Sequence, residues 1–327
     1  MVAPGQGILA ADESVATISK RFSAQGITST EETRRSYRQV LFSPDDLRSF
    51  ISGVILHEET LGQLSDEGEP FPAFLASRGM LAGIKVDIGT GPLSGAPGEL
   101  ITSGLDGLDE KLARYQAAGA SFAKWRAVLR IGTGSPSSWA IQANADALAR
   151  YAGLCQQAGL VPIVEPEVLM DGEHDLEASA QVTRRVLSEV MGCLVTAGVD
   201  LRAMILKPSM VVPGADGPPA SVGEVAAATV RCLLDTVPAA IPGVAFLSGG
   251  QPAPVATAHL DAIVRHQPYP WAVTFSFGRA LQDDPLRIWN GDGANVTAAQ
   301  AALIAGAQSN SAAALGRYDD ALDTARG

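Results

Sequence analysis

Cysteine is scarce. Cys155, Cys193 and Cys232 are the only three, far apart in sequence, and they match no metal-ligand spacing. Reduced, buried thiols of a cytoplasmic protein are the expectation. Cations are also in the minority: 24 Lys and Arg against 35 Asp and Glu leave a net charge of -11. That balance argues against a nucleic-acid footprint, so DNA and RNA are not expected partners. An anionic ligand would need local cations inside an acidic whole. Long apolar runs are absent as well. The longest charge-free stretch, from about Ala294 to Gly316, is interrupted by Asn295, Gln300, Gln308 and Asn310 and does not read as a membrane span. Met1 is followed by Val-Ala-Pro-Gly rather than a basic start and an apolar run, so no signal peptide is expected. With 46% hydrophobic and 18% charged residues in 327, the chain has ample material for a core and is not disordered.

Eight short apolar runs recur along the chain: 7–12, 51–56, 82–87, 120–128, 160–165, 203–207, 244–248 and 272–276. Between them lie stretches with helical spacing, among them 140–154, 177–197 and 222–234. Alternating strand and helix implies a parallel sheet, and eight units in roughly 300 residues suggest a closed (β/α)8 TIM barrel. A doubly wound open sheet is the competitor, but no Gly-x-Gly-x-x-Gly follows the first run. The Gly/Pro/Ser-rich stretches 89–104 and 213–219 fall between adjacent strands and read as loops. Residues 1–327 are expected to form a single barrel domain with a C-terminal tail from about 310 to 327.

Charged residues sit in phase with this repeat. From Lys85 the successive gaps to Lys124, Glu165, Lys207 and Ser248 are 39, 41, 42 and 41 residues. A polar residue at one phase of a βα repeat lands at one end of the barrel, the carboxyl end of the strands, where active sites form. Alternation adds that Lys124 and Arg126 share a face, as do Glu165 and Glu167 if their strand runs through Pro166. Burying such charges is costly unless they pair or bind something.

The chemistry each residue could carry is specific. Lys207 ends a buried strand in AMILKPSM. Lost solvation favours the neutral amine, which attacks carbonyls and forms a Schiff base. The plainer alternative is a lysine that snorkels outward and binds phosphate. Glu165 and Glu167, beside lysines, fit the acid/base steps of imine formation, one of the two serving only to position a lysine. Asp12 in GILAADES either accepts a substrate hydroxyl or caps a helix. Ser248 and Gly249 in FLSGGQ, with Gly278 and Arg279 in TFSFGRAL, follow strands seven and eight, where barrel enzymes often bind phosphate. His57, His174, His259 and His266 form no ligand pair, and no metal set is expected. His57 is expected to be packed, and 171–175 a solvated turn. Two phosphate-type sites flanking a Schiff-base lysine imply a sugar bisphosphate with a carbonyl between its ends.

Together the motifs resemble class I fructose-bisphosphate aldolases. The matching stretches are GQGILAADES (5–14), GIKVD (83–87), FAKWRAVL (122–129), PIVEPEVL (162–169), LKPSMV (206–211), FLSGGQ (246–251) and TFSFGRAL (274–281), and the likeness covers nearly the whole chain. The resemblance implies a (β/α)8 barrel lyase that cleaves fructose 1,6-bisphosphate reversibly to dihydroxyacetone phosphate and glyceraldehyde 3-phosphate, without metal or cofactor. It implies Lys207 as the Schiff-base lysine and Glu165 as proton donor and acceptor, with Glu167 beside it. Lys124 and Asp12 would hold the substrate hydroxyls. Ser248, Gly249, Gly278 and Arg279 would bind the phosphate near the ketone, and Lys85, Arg126, Arg21 and Ser14 the phosphate at the aldehyde end. A cytoplasmic homo-oligomer, a tetramer in the family, acting in glycolysis or gluconeogenesis, is the corresponding expectation. Related readings are a preference for fructose 1-phosphate or sedoheptulose bisphosphate, and a silent barrel used as a binding scaffold. The chain departs from the family in starting almost at the first motif, in Gln6 for a lysine, in Thr17 for a serine, and in ending at Gly327 without a terminal tyrosine. The last departure implies slower release of dihydroxyacetone phosphate or a different proton donor.

Overall fold

In the computed structural model, residues 1–319 are described. Eight parallel strands close into a barrel: β1 (Gly7–Ala11), β2 (Ile51–Leu56), β3 (Leu81–Lys85), β4 (Phe122–Leu129), β5 (Val161–Val168), β6 (Ile205–Leu206), β7 (Gly243–Phe246) and β8 (Ala272–Phe277). Each pairs with its neighbours in sequence order, and β1 closes the ring against β8. The eight-fold count and the barrel follow the pattern of the sequence; several boundaries do not. The third strand stops at Lys85, two residues short of the expected end, and the fifth runs on to Val168. Pro166 is tolerated because β6 pairs only with Ile163 and Val164, so the missing N–H breaks no bond on that side.

Period two divides each strand between two environments. One set of residues, including Leu9, Val54, Trp125, Val164, Leu206 and Phe275, packs outward against the helices. The other set points inward, where Ile8, Ala10, Ile55, Phe122, Ile163, Ile205 and Ala245 form a separate apolar floor. Phe122 is fully buried there. Its ring occupies the space that side chains at Gly53 and Gly83 would fill: a Cβ on Gly83 would lie 2.0 Å from the ring, and one on Gly53 3.1 Å. Burial of that ring contributes roughly 2–3 kcal/mol.

The surrounding helices begin at side-chain caps. Ser137 caps Ser138–Gln157 and Asp175 caps Leu176–Thr196. Ser221 caps Val222–Thr236 and forms a capping box with Glu224. Asp175 thus ends the 171–175 turn by starting a helix. The 89–104 stretch is more than a loop: Thr90–Pro92 and Leu100–Thr102 pair as a short antiparallel hairpin. The expected tail also starts later, because the helix Val296–Ala314 runs through residue 310. Asn310 is fully buried in it, its Nδ2 donating to the Gly306 carbonyl and its Oδ1 accepting from Thr257. Residues 320–327 of that tail lie outside the described residues. Cys155 and Cys232 are buried, Cys193 is half-buried, and none of the three is bonded to another. Among the described residues no helix is long and apolar enough to cross a membrane.

Candidate active site

Above the apolar floor, the next inward position of each strand is Asp12, His57, Lys85, Lys124, Glu165, Lys207, Leu247 and Ser276, in order from β1 to β8. All eight line one cavity of about 770 Å³ at the carboxyl end of the barrel. One step of alternation therefore converts a hydrophobic layer into a polar one. The thirteen residues singled out from the sequence all line this cavity. Eight Lys and Arg against six Asp and Glu face it, so the cavity is net positive in a chain of net charge -11.

Glu165 is the hub. Its Oε1 lies 3.2 Å from Lys207 Nζ and its Oε2 3.2 Å from Lys124 Nζ. Lys124 Nζ also lies 2.8 Å from Asp12 Oδ2. All three of Lys124, Glu165 and Lys207 are buried. Burial opposes the charge on Lys124, but Asp12 and Glu165 outweigh it and hold its ammonium well above the ordinary lysine range. Burial likewise opposes the carboxylate of Asp12, and Lys124 and Lys207 outweigh it, holding its carboxyl well below the ordinary range. Lys207 does not snorkel to the surface. Asp12 is not the helix cap; Ser14 caps Val15–Ala24 by accepting from the Thr17 N–H at 3.2 Å.

A second pair stands nearer the rim, where Arg126 donates to Glu167. Glu167 is thus engaged with an arginine, not with a lysine. Burial opposes the guanidinium charge of Arg126, and Glu167 more than restores it. Lys85 Nζ lies 2.6 Å from Asp87 Oδ1. Arg21, on the helix after β1, contacts Glu13 and lies 2.9 Å from Asp283 Oδ1. Glu13 also takes Arg38 at 2.9 Å. His57 lines the cavity instead of packing away from it, and its Nδ1 accepts from the Glu59 N–H.

The loops after β7 and β8 form the opposite wall. Gly249 and Gly250 have φ of +61° and +89°, a region that side-chain-bearing residues rarely adopt. A Cβ on Gly250 would approach Arg279 Nη2 to 3.2 Å, so glycine leaves room for that guanidinium. Arg279 opens the helix Arg279–Trp289, whose cap, Gly278, supplies no side chain to satisfy the free N–H groups. Among the described residues Arg279 makes no ion pair. Ser248, Gly249, Gly278 and Arg279 thus combine exposed backbone donors with an available cation.

Several cavity residues were given no role from the sequence. Asp87, marked only as a charge in the third strand, lines it, as do Glu13 and Ser276; Ser276 Oγ is buried with no hydrogen-bond partner among the described residues. The alternation rule applied to TFSFGRAL would have found Ser276, two positions before Gly278. Gln282, which supports Arg21 from outside the cavity lining, had no such signal. It is fully buried, donates to the Ala10 carbonyl at 2.5 Å and accepts from Arg21 at 3.4 Å. Among the described residues no three His, Cys, Asp or Glu side chains are placed to hold a metal ion.

Known proteins resemble this chain over nearly its whole length. The family model described as "Fructose-bisphosphate aldolase class-I" matches residues 1–327. A "Probable fructose-bisphosphate aldolase class 1" of Xylella fastidiosa is 51% identical over 320 residues, 97% of this chain and 96% of the relative. Human "Fructose-bisphosphate aldolase C" is 52% identical over 322 residues, 98% of this chain and 88% of that protein. A solved structure of fructose-bisphosphate aldolase from Plasmodium falciparum, in complex with TRAP and a small molecule inhibitor, superposes with a TM-score of 0.96 at 48% identity, covering 97% of this chain and 92% of that one. The chain belongs to the class I fructose-bisphosphate aldolase family.

Proposed function

We propose that this lyase cleaves fructose 1,6-bisphosphate reversibly through a Schiff base on Lys207. The observation that carries the reading is Glu165 held between two buried lysines, with 3.2 Å to each. In the proposed sequence, Lys207 passes a proton to Glu165, and the amine so freed adds to the ketone carbon. Glu165 delivers a proton to the departing hydroxyl, and water leaves as the iminium forms. The hydroxyl proton at C4 passes to a carboxylate, the C3–C4 bond breaks, and its electron pair flows into the iminium to give an enamine. Glyceraldehyde 3-phosphate leaves as the aldehyde product. Protonation of the enamine at C3 and hydrolysis of the imine release dihydroxyacetone phosphate and restore Lys207. The electron sink is the protonated imine, so no step is assigned to a metal or cofactor.

Asp12 and Lys124 act as fixed charges that hold the substrate hydroxyls. Both are kept ionised by their pairing, so neither needs to reorganise as charge develops. Ser248, Gly249, Gly278 and Arg279 bind the phosphate next to the ketone. Lys85, Arg126, Arg21 and Ser14 receive the phosphate at the aldehyde end, with Thr17 keeping a hydroxyl nearby. Glu167 holds Arg126 at the rim. In the cell the reading is of a cytoplasmic homo-oligomer serving glycolysis or gluconeogenesis.

The test is cleavage of fructose 1,6-bisphosphate, with triose phosphate measured, by the wild-type chain and by Lys207→Met. The proposal expects activity that survives a chelator and is abolished in the variant. Full activity in Lys207→Met would contradict it.

A further inference from the structure

Asp87 lies just past the end of β3, buried at the cavity wall, and three separate parts of the site converge on it. Its Oδ1 takes Lys85 Nζ at 2.6 Å and the Gly89 N–H at 3.2 Å. Its Oδ2 faces the Arg126 N–H at 3.4 Å. Lys85 Nζ donates at 2.5 Å to the Asp87 carbonyl as well, so both acceptors of one residue hold one ammonium. The surrounding backbone leaves the carboxylate little freedom. Ile88 N–H donates to the Ser103 carbonyl, Ser103 N–H donates to the Gly89 carbonyl, and Thr102 Oγ1 donates to the Arg126 carbonyl. The hairpin Thr90–Pro92/Leu100–Thr102 is thereby fastened to the segment just after β3 and to Arg126 within β4, on either side of Asp87.

We infer that Asp87 is a positioning residue that sets Lys85, and ties it to the backbone of Arg126, the two cations on which recognition of the distal phosphate depends. The inference rests on the assignment of those two cations to the phosphate at the aldehyde end. Lysine has a long flexible stem and no preferred geometry for phosphate, so an ammonium in the right place must be held there. Asp87 supplies that hold from two residues away, and its second oxygen ties the backbone of Arg126 to the same point. A single carboxylate thus fixes the Lys85 ammonium relative to the stretch of β4 that carries Arg126. A substrate without the distal phosphate would not sense the difference.

The test compares fructose 1,6-bisphosphate with fructose 1-phosphate, which lacks the distal phosphate, in wild type, Asp87→Asn, Lys85→Met and the double variant. In D87N the ratio of kcat/KM for the bisphosphate to that for the monophosphate is expected to fall by about tenfold or more, the effect of misplacing one charge-assisted hydrogen bond. The loss should appear mainly in KM for the bisphosphate. The double variant should show nearly the ratio of K85M alone, because the carboxylate acts through that lysine. Should D87N not accumulate as folded protein, Asp87→Glu moves the same charge by one methylene and is again expected to lower the ratio. An active wild type whose variants lose both sugars equally, or whose D87E ratio is unchanged, would overturn the inference alone. A wild type inactive on both sugars would overturn the functional reading and this inference with it.

Discussion

Lys207 and Glu165 meet at 3.2 Å across the seam between β6 and β5, both buried at the mouth of the barrel. Neither strand could supply this contact alone. Lys207 follows a strand of two residues, and Glu165 sits three residues before the end of a strand of eight. The contact arises because parallel register aligns Ile163 with Ile205, and the next inward residue on each strand is then the charged one.

Glu165→Gln keeps the size and most hydrogen-bonding capacity of the side chain and removes its proton-transfer role. The variant should reach the same fold at some cost in stability, and kcat should drop by about 10²–10⁴, the usual contribution of a positioned acid/base group. Single-turnover imine formation should slow in parallel. Unchanged imine formation would assign the proton transfers to another residue.

The Asp12–Lys124 pair gives stability a defined pH window. The Asp12 carboxyl is held below its ordinary value of 3.8, so its contribution is present above that pH and lost as pH falls through the lowered value. The Lys124 ammonium is held above its ordinary 10.5, so its contribution is present below that pH and lost only as pH rises through the higher value. Asp12→Asn should therefore cost on the order of 1–3 kcal/mol near neutrality. The gap in Tm from wild type should stay level from about pH 5 to 9.5 and shrink below about pH 4. A gap that widens toward acid pH would contradict the pairing.

Gly83→Ala tests the barrel floor. A Cβ would lie 2.0 Å from the Phe122 ring, which is fully buried among the floor residues. Urea denaturation should show destabilisation of about 1–3 kcal/mol or more. Adding Phe122→Leu should recover part of the loss. An unaltered midpoint in the single variant would mean the floor is not closely packed.

Arg279→Ala should weaken phosphate binding at the ketone end. Loss of one charge-assisted contact of ~1.5–3 kcal/mol corresponds to about a ten- to hundredfold rise in KM for the bisphosphate. Inhibition by inorganic phosphate should weaken with it. An unchanged KM would remove Arg279 from the binding site.

Legibility in the sequence followed how local the determining physics was. The recurrence of Lys85, Lys124, Glu165, Lys207 and Ser248 about every 41 residues reports the repeat itself, and all five line the cavity. Alternation then predicted that Lys124 and Arg126 share a face, as Glu165 and Glu167 do. Long-range partners were invisible. Asp87 reads as the end of a strand until the chain turns at Gly89 and brings Arg126 against it, 39 residues on. Gln282 reads as a polar helix residue until Ala10, 272 residues away, accepts its amide. The hairpin in 89–104 was hidden because its strands are three residues each, with Gly and Pro in the first. The charge-free helix 296–314 masks its buried side with Ala, Gly, Ser and Asn rather than large apolar residues, so periodicity is weak there.

The most direct measurement is borohydride reduction of the protein with dihydroxyacetone phosphate, followed by intact and peptide mass analysis. The account predicts one reduced adduct, on the peptide containing Lys207, absent in Lys207→Met. An unmodified chain that still cleaves fructose 1,6-bisphosphate would contradict the imine mechanism, as would an adduct on any other lysine.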